Sequence, residues 1–275
     1  FINNVKMHNY STTDTFKLYL GGEKCIVKVK NIEINTNGTE VKNFVIGLKE
    51  DAYVSGYLSR AQSIASSYAG EPTGQTLLMG SSSIDLWKER TDSNGNKVAG
   101  YLADLHDLPD DDKDGKPDVL NVGIGGTTYQ DWLSFYDILV KPFLPAPKIV
   151  LYCGANDVYK GGSSEDTFAN YKKLIEKILA DSPNSVIYYV RTNPSKTLYG
   201  TDGSGAVWQR LTAYENMVSE LASTTTNLVV IDMVNDLKDA NGPIPALWDA
   251  DGTHLNREGY AIWTSYVRKA MGLGS

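Results

Sequence analysis

Short apolar or β-branched runs alternate with helical patterns along most of this chain of 275 residues. The runs occupy 76–79, 118–122, 148–153, 185–190 and 227–232. Between them and after the last, apolar residues recur at helical spacing over 131–140, 165–179, 211–221 and 256–270. Strands that alternate with helices predict an α/β fold, a three-layer α/β/α sandwich around a five-stranded parallel sheet. Ligands bind at the carboxyl ends of such strands, so the residues after each run are the first candidates for chemistry.

The first 74 residues follow a different pattern. Apolar and polar residues alternate over 25–34, the Asn37-Gly38 pair is a strong hairpin signal, and 41–48 can form the return strand. A helical pattern over 53–68 leads into the first strand of the main sheet.

We therefore predict an N-terminal appendage over 1–74, a β-hairpin followed by a helix, and a main domain over 75–275. The appendage is interpreted as a module packed on the main domain or as the remainder of a larger upstream module. Carbohydrate binding by the appendage is the alternative.

Composition limits the classes of partner. Hydrophobic residues make up 41% and charged residues 21% of the chain, which is ordinary for a globular protein with one substantial core. The formal net charge is −7, whereas phosphate binding needs clustered Lys and Arg, so a nucleic-acid partner is not expected. No apolar stretch is long enough to span a bilayer. A neutral or weakly charged substrate fits this composition best.

The cysteines and the first residue add two weaker expectations. Cys153 lies in an apolar run and is expected to be a buried free thiol, with a disulfide to Cys25 as the alternative. The chain begins with Phe1 rather than Met, which fits a secreted or cell-surface bacterial protein whose signal peptide has been removed.

A serine-rich turn follows the first apolar run, where residues 80–84 read Gly-Ser-Ser-Ser-Ile, and residues 251–254 read Asp-Gly-Thr-His. A serine at a strand-to-helix turn and a late Asp-x-x-His are the two halves of a hydrolytic triad. Such a triad needs a nucleophile, a base and a carboxylate that orients the base. Each half alone has a simpler interpretation, because a serine cluster after a strand is commonly a helix N-cap and an Asp-x-x-His a surface turn.

Two further blocks favour the triad. Residues 121–127 read Asn-Val-Gly-Ile-Gly-Gly-Thr and residues 154–157 read Gly-Ala-Asn-Asp, and each follows its own apolar run. With four blocks in this order, the chain resembles the SGNH (GDSL-type) hydrolases over about residues 75–271, a family named for its Ser, Gly, Asn and His. The resemblance implies a flavodoxin-like fold, an esterase activity and no cofactor.

The resemblance also implies a triad. It places the nucleophile at Ser82, with Ser81 where the family usually has Asp, and the carboxylate and base at Asp251 and His254. The histidine would accept the serine proton, while the carboxylate holds the imidazole in the required tautomer. Asp249 is the other candidate for the carboxylate.

The third implied component is an oxyanion hole. Its donors would be the backbone N–H groups of Ser82 and Gly126 and the side-chain amide of Asn156. Glycine at position 126 would let a backbone N–H approach the substrate closely.

Competing motifs are incomplete. Gly123-x-Gly125 after a strand is part of a dinucleotide fingerprint, but position 128 is Thr and the third glycine is missing. The sequence contains no Gly-x-Ser-x-Gly, P-loop or His-Glu-x-x-His pattern. With three histidines and two separated cysteines, a zinc site is not expected.

One acidic insertion is a candidate cation site. Asp110, Asp112 and Asp114 match the start of an EF-hand-like calcium loop, and Asp118 could add a further oxygen ligand. The twelfth position is Asn121 in place of the bidentate Glu, so an exposed acidic turn is the preferred interpretation and calcium the alternative.

Three aromatic residues are candidate platforms for sugar rings. Trp248 lies three residues before Asp251, and Tyr199 and Trp208 belong to the long segment after the fourth run. Core packing is the alternative for Trp248. The sequence also lacks an obvious apolar lid that would shield a long acyl chain.

We therefore predict a serine esterase that removes O-acetyl groups from a plant or microbial polysaccharide or oligosaccharide, resembling carbohydrate O-acetyl esterases. The alternatives are a broad small-acyl esterase or lysophospholipase-like hydrolase, and a non-catalytic carbohydrate-binding protein. The sequence carries no signature of an oligomeric state.

Overall fold

The computed structural model describes residues 32–35, 41–44, 53–111, 113–200 and 202–274. The chain divides into two compact units, Phe1–Asp51 and Ala52–Ser275. In the smaller unit, strands β1 (Ile32–Asn35) and β2 (Val41–Phe44) pair in antiparallel fashion, with Ile32 opposite Phe44. The predicted turn at Asn37 and Gly38 lies outside the described residues, and so does Cys25.

The larger unit alternates strands and helices. Its strands are β3 (Thr76–Gly80), β4 (Arg90–Thr91), β5 (Lys97–Val98), β6 (Val119–Asn121), β7 (Lys148–Tyr152), β8 (Val186–Val190), β9 (Leu228–Ile231), β10 (Lys238–Asp239) and β11 (Gly242–Pro243). Its α-helices are α1 (Leu58–Ser67), α2 (Ser82–Asp85), α3 (Tyr101–Asp104), α4 (Tyr129–Ser134), α5 (Tyr136–Leu139), α6 (Ala155–Tyr159), α7 (Ser164–Asp181), α8 (Lys196–Tyr199), α9 (Ala206–Thr224) and α10 (Arg257–Ala270). Short 3₁₀ helices occupy Lys141–Phe143, Val234–Asp236 and Pro245–Leu247.

Five of these strands form one parallel sheet in the order β6-β3-β7-β8-β9. Counted among themselves, they run 2-1-3-4-5, which is the order of flavodoxin-like sheets. The predicted α/β fold with a five-stranded parallel sheet is confirmed. The pairs β4–β5 and β10–β11 are short antiparallel ribbons outside this sheet.

Alternating side chains of the central strands feed two hydrophobic cores. On β3, Leu77 and Met79 belong to one cluster, which also contains residues of α1, α4, α5, α7 and α9. Leu78 belongs to the other, which contains residues of α2 and α10. Because successive side chains of a strand point to opposite faces, this partition shows helices covering both faces of the sheet. Helices on both faces of one sheet confirm the predicted three-layer arrangement.

Local signals define several helix ends. Thr128 caps α4 in a capping box, in which its side chain accepts from the Asp131 N–H while the Asp131 carboxylate accepts from the Thr128 N–H. Asn256 caps α10 by accepting from the Gly259 N–H at 3.1 Å. Both caps lie just after candidate site loops, so they fix the residue at which each loop ends and its helix begins.

The predicted helix over 131–140 is wrong in one respect, because the structure divides it into α4 and α5. Phe135 leaves the helical conformation between them, with φ −109° and ψ 14°. Its ring packs against Trp132 with centroids 5.0 Å apart, and both side chains are fully buried.

Among the described residues, no helix combines the length and apolar character needed to cross a bilayer.

Candidate active site

Ser82 is the accessible serine of the turn after β3. Ser81 is 1% and Ser83 5% exposed, whereas Ser82, the first residue of α2, is half-buried. The Ser83 side chain is engaged, since its Oγ accepts from Asn193 Nδ2 at 3.2 Å. Only the middle serine therefore presents its hydroxyl at the carboxyl end of the sheet.

Asp251 and His254 form a close pair. The Oδ2 atom of Asp251 lies 2.6 Å from Nδ1 of His254, and Oδ1 accepts from the N–H groups of Thr253 and His254 at 2.8 and 3.0 Å. Partial burial pushes the pKa of Asp251 up, but the N–H and imidazole of His254 outweigh that effect and hold it below its usual range. The carboxylate is thus ionised at neutral pH and orients the imidazole through Nδ1.

Asp249, the other candidate carboxylate, is committed elsewhere. Its Oδ2 pairs with Arg90 at 2.9 Å and its Oδ1 accepts from the Ser93 N–H at 2.8 Å. Both oxygens hold the turn between β4 and β5, leaving the imidazole to Asp251.

The Asp-x-x-His loop is held from a second direction as well. The Lys196 N–H donates to the Gly252 carbonyl at 3.2 Å, and the hydroxyls of Thr197 and Thr253 lie 2.8 Å apart. The beginning of α8, after β8, therefore contacts the loop directly. The loop is fixed between two parts of the larger unit before any ligand binds.

The serine and the histidine are not joined by a hydrogen bond in this structure. Among the described residues, neither Ser82 Oγ nor His254 Nε2 has a hydrogen-bonding partner. Neither atom is therefore committed to another part of the described protein. Such hydrogen bonds often tighten only when substrate is bound.

The donors of the predicted oxyanion hole are also available. Within the described part of the chain, the N–H groups of Ser82 and Gly126 donate to no protein acceptor. Gly126 has φ +84°, which strains any residue with a side chain, and a Cβ there would have to displace the hydroxyl of Tyr57. Asn156 Nδ2 donates to the Thr127 carbonyl at 3.0 Å, which orients the amide and leaves its second N–H.

Two charged residues that the sequence did not single out brace this glycine loop. Asp85, three residues after Ser82 on α2, accepts from the Gly125 N–H at 2.9 Å. Lys160, at the end of α6, donates to the Gly126 carbonyl at 2.8 Å. Asp85 could have been suspected from its i, i+3 position on the helix that begins at the serine. Lys160 carries no such signal.

Asp157 is a buried carboxylate next to Asn156. It is 9% exposed, and its two oxygens lie 3.1 and 3.3 Å from the Tyr129 N–H. Burial raises the pKa of Asp157 to about 7, although the Tyr129 N–H acts in the opposite direction. The motif residue thus has a structural role between α6 and the start of α4.

The three candidate aromatic platforms differ in placement. Trp248 is 6% exposed and belongs to the core cluster between the sheet and α10, and Trp208 is 8% exposed beneath Tyr199. Tyr199 is half-buried, and its ring meets that of Trp208 edge to face at 5.1 Å. The two indoles pack inside the protein, so only Tyr199 offers a partly open ring.

The acidic insertion uses its carboxylates within its own turn. Asp110 accepts from the Gly115 N–H at 3.1 Å, and Asp118 from the Asp111 N–H at 2.8 Å. Asp114 binds the N–H and the ammonium of Lys116 at 2.8 and 3.1 Å. Across the described residues, no three His, Cys, Asp or Glu side chains are placed to hold a metal ion. Asp112 lies outside them, so calcium binding by this loop stays a prediction.

Cys153 is a buried free thiol at the end of β7. Burial raises the pKa of this thiol well above its usual range, so it is unsuited to nucleophilic chemistry.

The chain matches the family described as GDSL-like Lipase/Acylhydrolase family over residues 78–262. No curated protein sequence matches it. Two similar solved structures are a GDSL-like lipase from Bacteroides thetaiotaomicron and Axe2, an acetylxylan esterase from Geobacillus stearothermophilus. The first is 18% identical with TM-score 0.57, covering 78% of this chain and 98% of that one. The second is 18% identical with TM-score 0.55, covering 74% of this chain and 96% of that one. At these identities the likeness shows a shared fold.

Replacing Asn156 tests whether its amide acts on a transition state. We expect Asn156→Ala to lower kcat about 10²-fold with a smaller change in KM, because an oxyanion donor stabilises the transition state more than it stabilises the bound substrate. Asn227→Ala is the matched control, since Asn227 Nδ2 makes a similar hydrogen bond to the Pro183 carbonyl away from the site. Steady-state kinetics on an aryl acetate supply the measurement. An unchanged kcat would remove Asn156 from the mechanism.

The buried carboxylate of Asp157 predicts a pH-dependent difference in stability. Between about pH 4 and pH 7 the folded chain keeps a proton on Asp157 that the unfolded chain releases, so this group's contribution to stability falls as pH rises. Asp157→Asn does not titrate and can still accept from the Tyr129 N–H. The free energy of unfolding of Asp157→Asn, relative to that of wild type, should therefore rise as the pH increases over that window, by on the order of 4 kcal/mol at most. Urea unfolding at successive pH values measures it, and a difference independent of pH would contradict the assignment.

Proposed function

The chain belongs to the GDSL-like lipase/acylhydrolase family, and from that premise we propose that it is a serine esterase that removes O-acetyl groups from a carbohydrate through an acyl-enzyme. The observation that carries the proposal is the 2.6 Å contact between Asp251 and His254, with the imidazole's Nε2 unpartnered among the described residues. The half-buried Ser82 supplies a matching nucleophile after β3.

In the first half-reaction, His254 Nε2 accepts the proton of Ser82 as Oγ attacks the ester carbonyl carbon. The negative charge that develops on the carbonyl oxygen is met by the N–H groups of Ser82 and Gly126 and by the Asn156 amide. The carbon–oxygen bond to the alcohol then breaks, and His254 gives its proton to the departing alkoxide oxygen.

In the second half-reaction, water replaces the alcohol. His254 accepts a proton from water as the water oxygen attacks the acyl carbon. The bond between Ser82 Oγ and the acyl carbon then breaks, and His254 returns the proton to Ser82. The ionised Asp251 stabilises the imidazolium in both halves. The products are a carboxylic acid and the deacetylated alcohol.

The choice of a carbohydrate is supported by the surroundings of α8. Lys196, at its first residue, binds the Gly252 carbonyl, and Tyr199, at its last, has a half-buried ring backed by Trp208. An aromatic face held near a catalytic loop is suited to stacking against a sugar ring. The acetylxylan esterase of similar fold supports the same substrate class, whereas the lipase of similar fold supports a lipid ester as the competing choice.

The nucleophile is tested by replacing each serine of the turn. Ser82→Ala should abolish turnover and labelling by a serine-directed phosphonate, because it alone removes the attacking oxygen. Ser81→Ala and Ser83→Ala are the matched controls and should remain active, with Ser83→Ala losing about 1 kcal/mol of stability through its hydrogen bond to Asn193. Full activity in Ser82→Ala would reject the proposed mechanism.

The substrate class is tested by a panel of esters. Acetylated xylan, mannan and pectin should be deacetylated, and p-nitrophenyl acetate should react at least about tenfold faster than the hexanoate, because extra methylenes must overpack a short pocket. Initial rates at matched enzyme concentration give the comparison. Faster hydrolysis of the octanoate than the acetate would favour the lipase-like alternative instead.

A further inference from the structure

Residues 53–60, which we call the rim segment, precede the family match at 78–262 but contact its glycine loop. Two hydroxyls of this segment bind one carboxylate oxygen, since Tyr53 and Ser55 donate to Asp131 Oδ1 at 2.8 and 2.6 Å. The other oxygen of Asp131 accepts from the Thr128 N–H at 2.8 Å, two residues after Gly126. One end of the rim segment is therefore attached to the helix that the glycine loop leads into.

The other end of the rim segment is attached on the serine side of the loop. Arg60 pairs with Asp85 Oδ2 at 2.7 Å, and the same oxygen accepts from the Gly125 N–H at 2.9 Å. A Cβ placed on Gly125 would lie 3.6 Å from the Cβ of Ser82, so this glycine borders the nucleophile directly. The rim segment thus spans the loop from the serine to the start of α4.

Tyr57, between those attachments, packs against Gly126. Its hydroxyl occupies the position where a side chain at 126 would begin, and Lys160 lies 5.9 Å from its ring while binding the Gly126 carbonyl. The side chain is half-buried, and among the described residues its hydroxyl has no hydrogen-bonding partner. Because adjacent Cα atoms are about 3.8 Å apart, the phenol lies one residue along the loop from the glycine that borders Ser82.

The geometry of ester cleavage decides which part of a substrate meets this ring. The departing alcohol must face His254 to receive a proton, and the carbonyl oxygen must face the oxyanion donors. The loop that carries His254 makes hydrogen bonds to Arg90, Ser93, Lys196 and Thr197. Among the described residues, it makes no hydrogen bond to the rim segment. The acyl substituent is the remaining group, and it extends away from His254 beside the oxyanion donors, of which the Gly126 N–H is one.

We propose that Tyr57 bounds the acyl side of the site beside Gly126 and determines the length of acyl group that the enzyme accepts. This inference rests on the proposed esterase mechanism and gives its short-acyl preference a specific residue. The ring is rigid, and the rim segment is held at both ends. A longer acyl chain would therefore have to displace a braced aromatic side chain rather than a free loop.

A size series at position 57 tests the proposal with p-nitrophenyl acetate, butyrate, hexanoate and octanoate. The ratio of kcat/KM for hexanoate to that for acetate should rise in the order Tyr57→Trp, wild type, Tyr57→Phe, Tyr57→Ala. Tyr57→Ala should exceed wild type by at least about tenfold, the effect of one or more methylenes in a fitted pocket. Tyr57→Trp keeps a bulky side chain, so it should lower this ratio below that of wild type. This variant therefore tests the proposal even if Tyr57→Ala folds poorly.

Tyr266→Ala is the matched control, because it removes a half-buried tyrosine of α10 whose hydroxyl binds Asp236 at 2.7 Å and leaves the rim segment and Gly126 untouched. The ratio should stay within about twofold of wild type in this variant. An unchanged ratio in both Tyr57→Ala and Tyr57→Trp, or an equal shift in Tyr266→Ala, would overturn the proposal. A wild-type preference for octanoate would reject the proposed substrate class, while the shift on replacing Tyr57 would still decide the role of this residue.

Discussion

The site depends on the close approach of Gly80 to the carbonyl group of Tyr152 at the carboxyl end of the sheet. Gly80 has φ +136°, and a Cβ there would overlap that carbonyl oxygen. The next N–H, that of Ser81, donates to the same carbonyl at 2.7 Å, while the Gly80 carbonyl accepts from Ile124 at 2.9 Å. Gly80 and Ser81 thus join the serine turn to the end of β7 and to the loop after β6. Any side chain at position 80 would push β3 from β7 and displace the nucleophile relative to the oxyanion donors.

Around this junction, loops are joined by carboxylates that each serve two partners. Asp131 binds the rim segment and caps α4, Asp85 binds Arg60 and the glycine loop, and Asp249 binds Arg90 and the turn after β4. Burying a carboxylate costs free energy unless its oxygens accept hydrogen bonds. Loss of one partner therefore leaves an unsatisfied oxygen and weakens the contact with the other partner as well. The loops are therefore positioned by shared acceptors as well as by apolar packing, and the backbone donors between them remain available for substrate.

The sheet could be predicted from sequence because its signals are local, whereas much of the site could not. All five apolar runs became strands, since continuous burial on both faces leaves a compositional trace in each run. The burial of Trp208 and Trp248 arises from packing between distant segments, which local pattern does not encode. The same holds for Tyr57, which is 69 positions from Gly126 in sequence and reaches it only through the fold.

Two aspartates near the site illustrate how environment divides roles between identical side chains. Asp251 is partly exposed and bound by two N–H groups and an imidazole, so its pKa lies below the usual range and its charge is permanent at neutral pH. Asp157 is buried with one backbone donor, and its pKa is raised to about 7. Only a permanent charge can stabilise an imidazolium through the catalytic cycle, whereas a carboxyl group that is readily protonated can join two helices without a counter-ion. Burial and the hydrogen-bond donors around each carboxyl group, rather than its position in a motif, therefore determine which aspartate stays charged beside the imidazole.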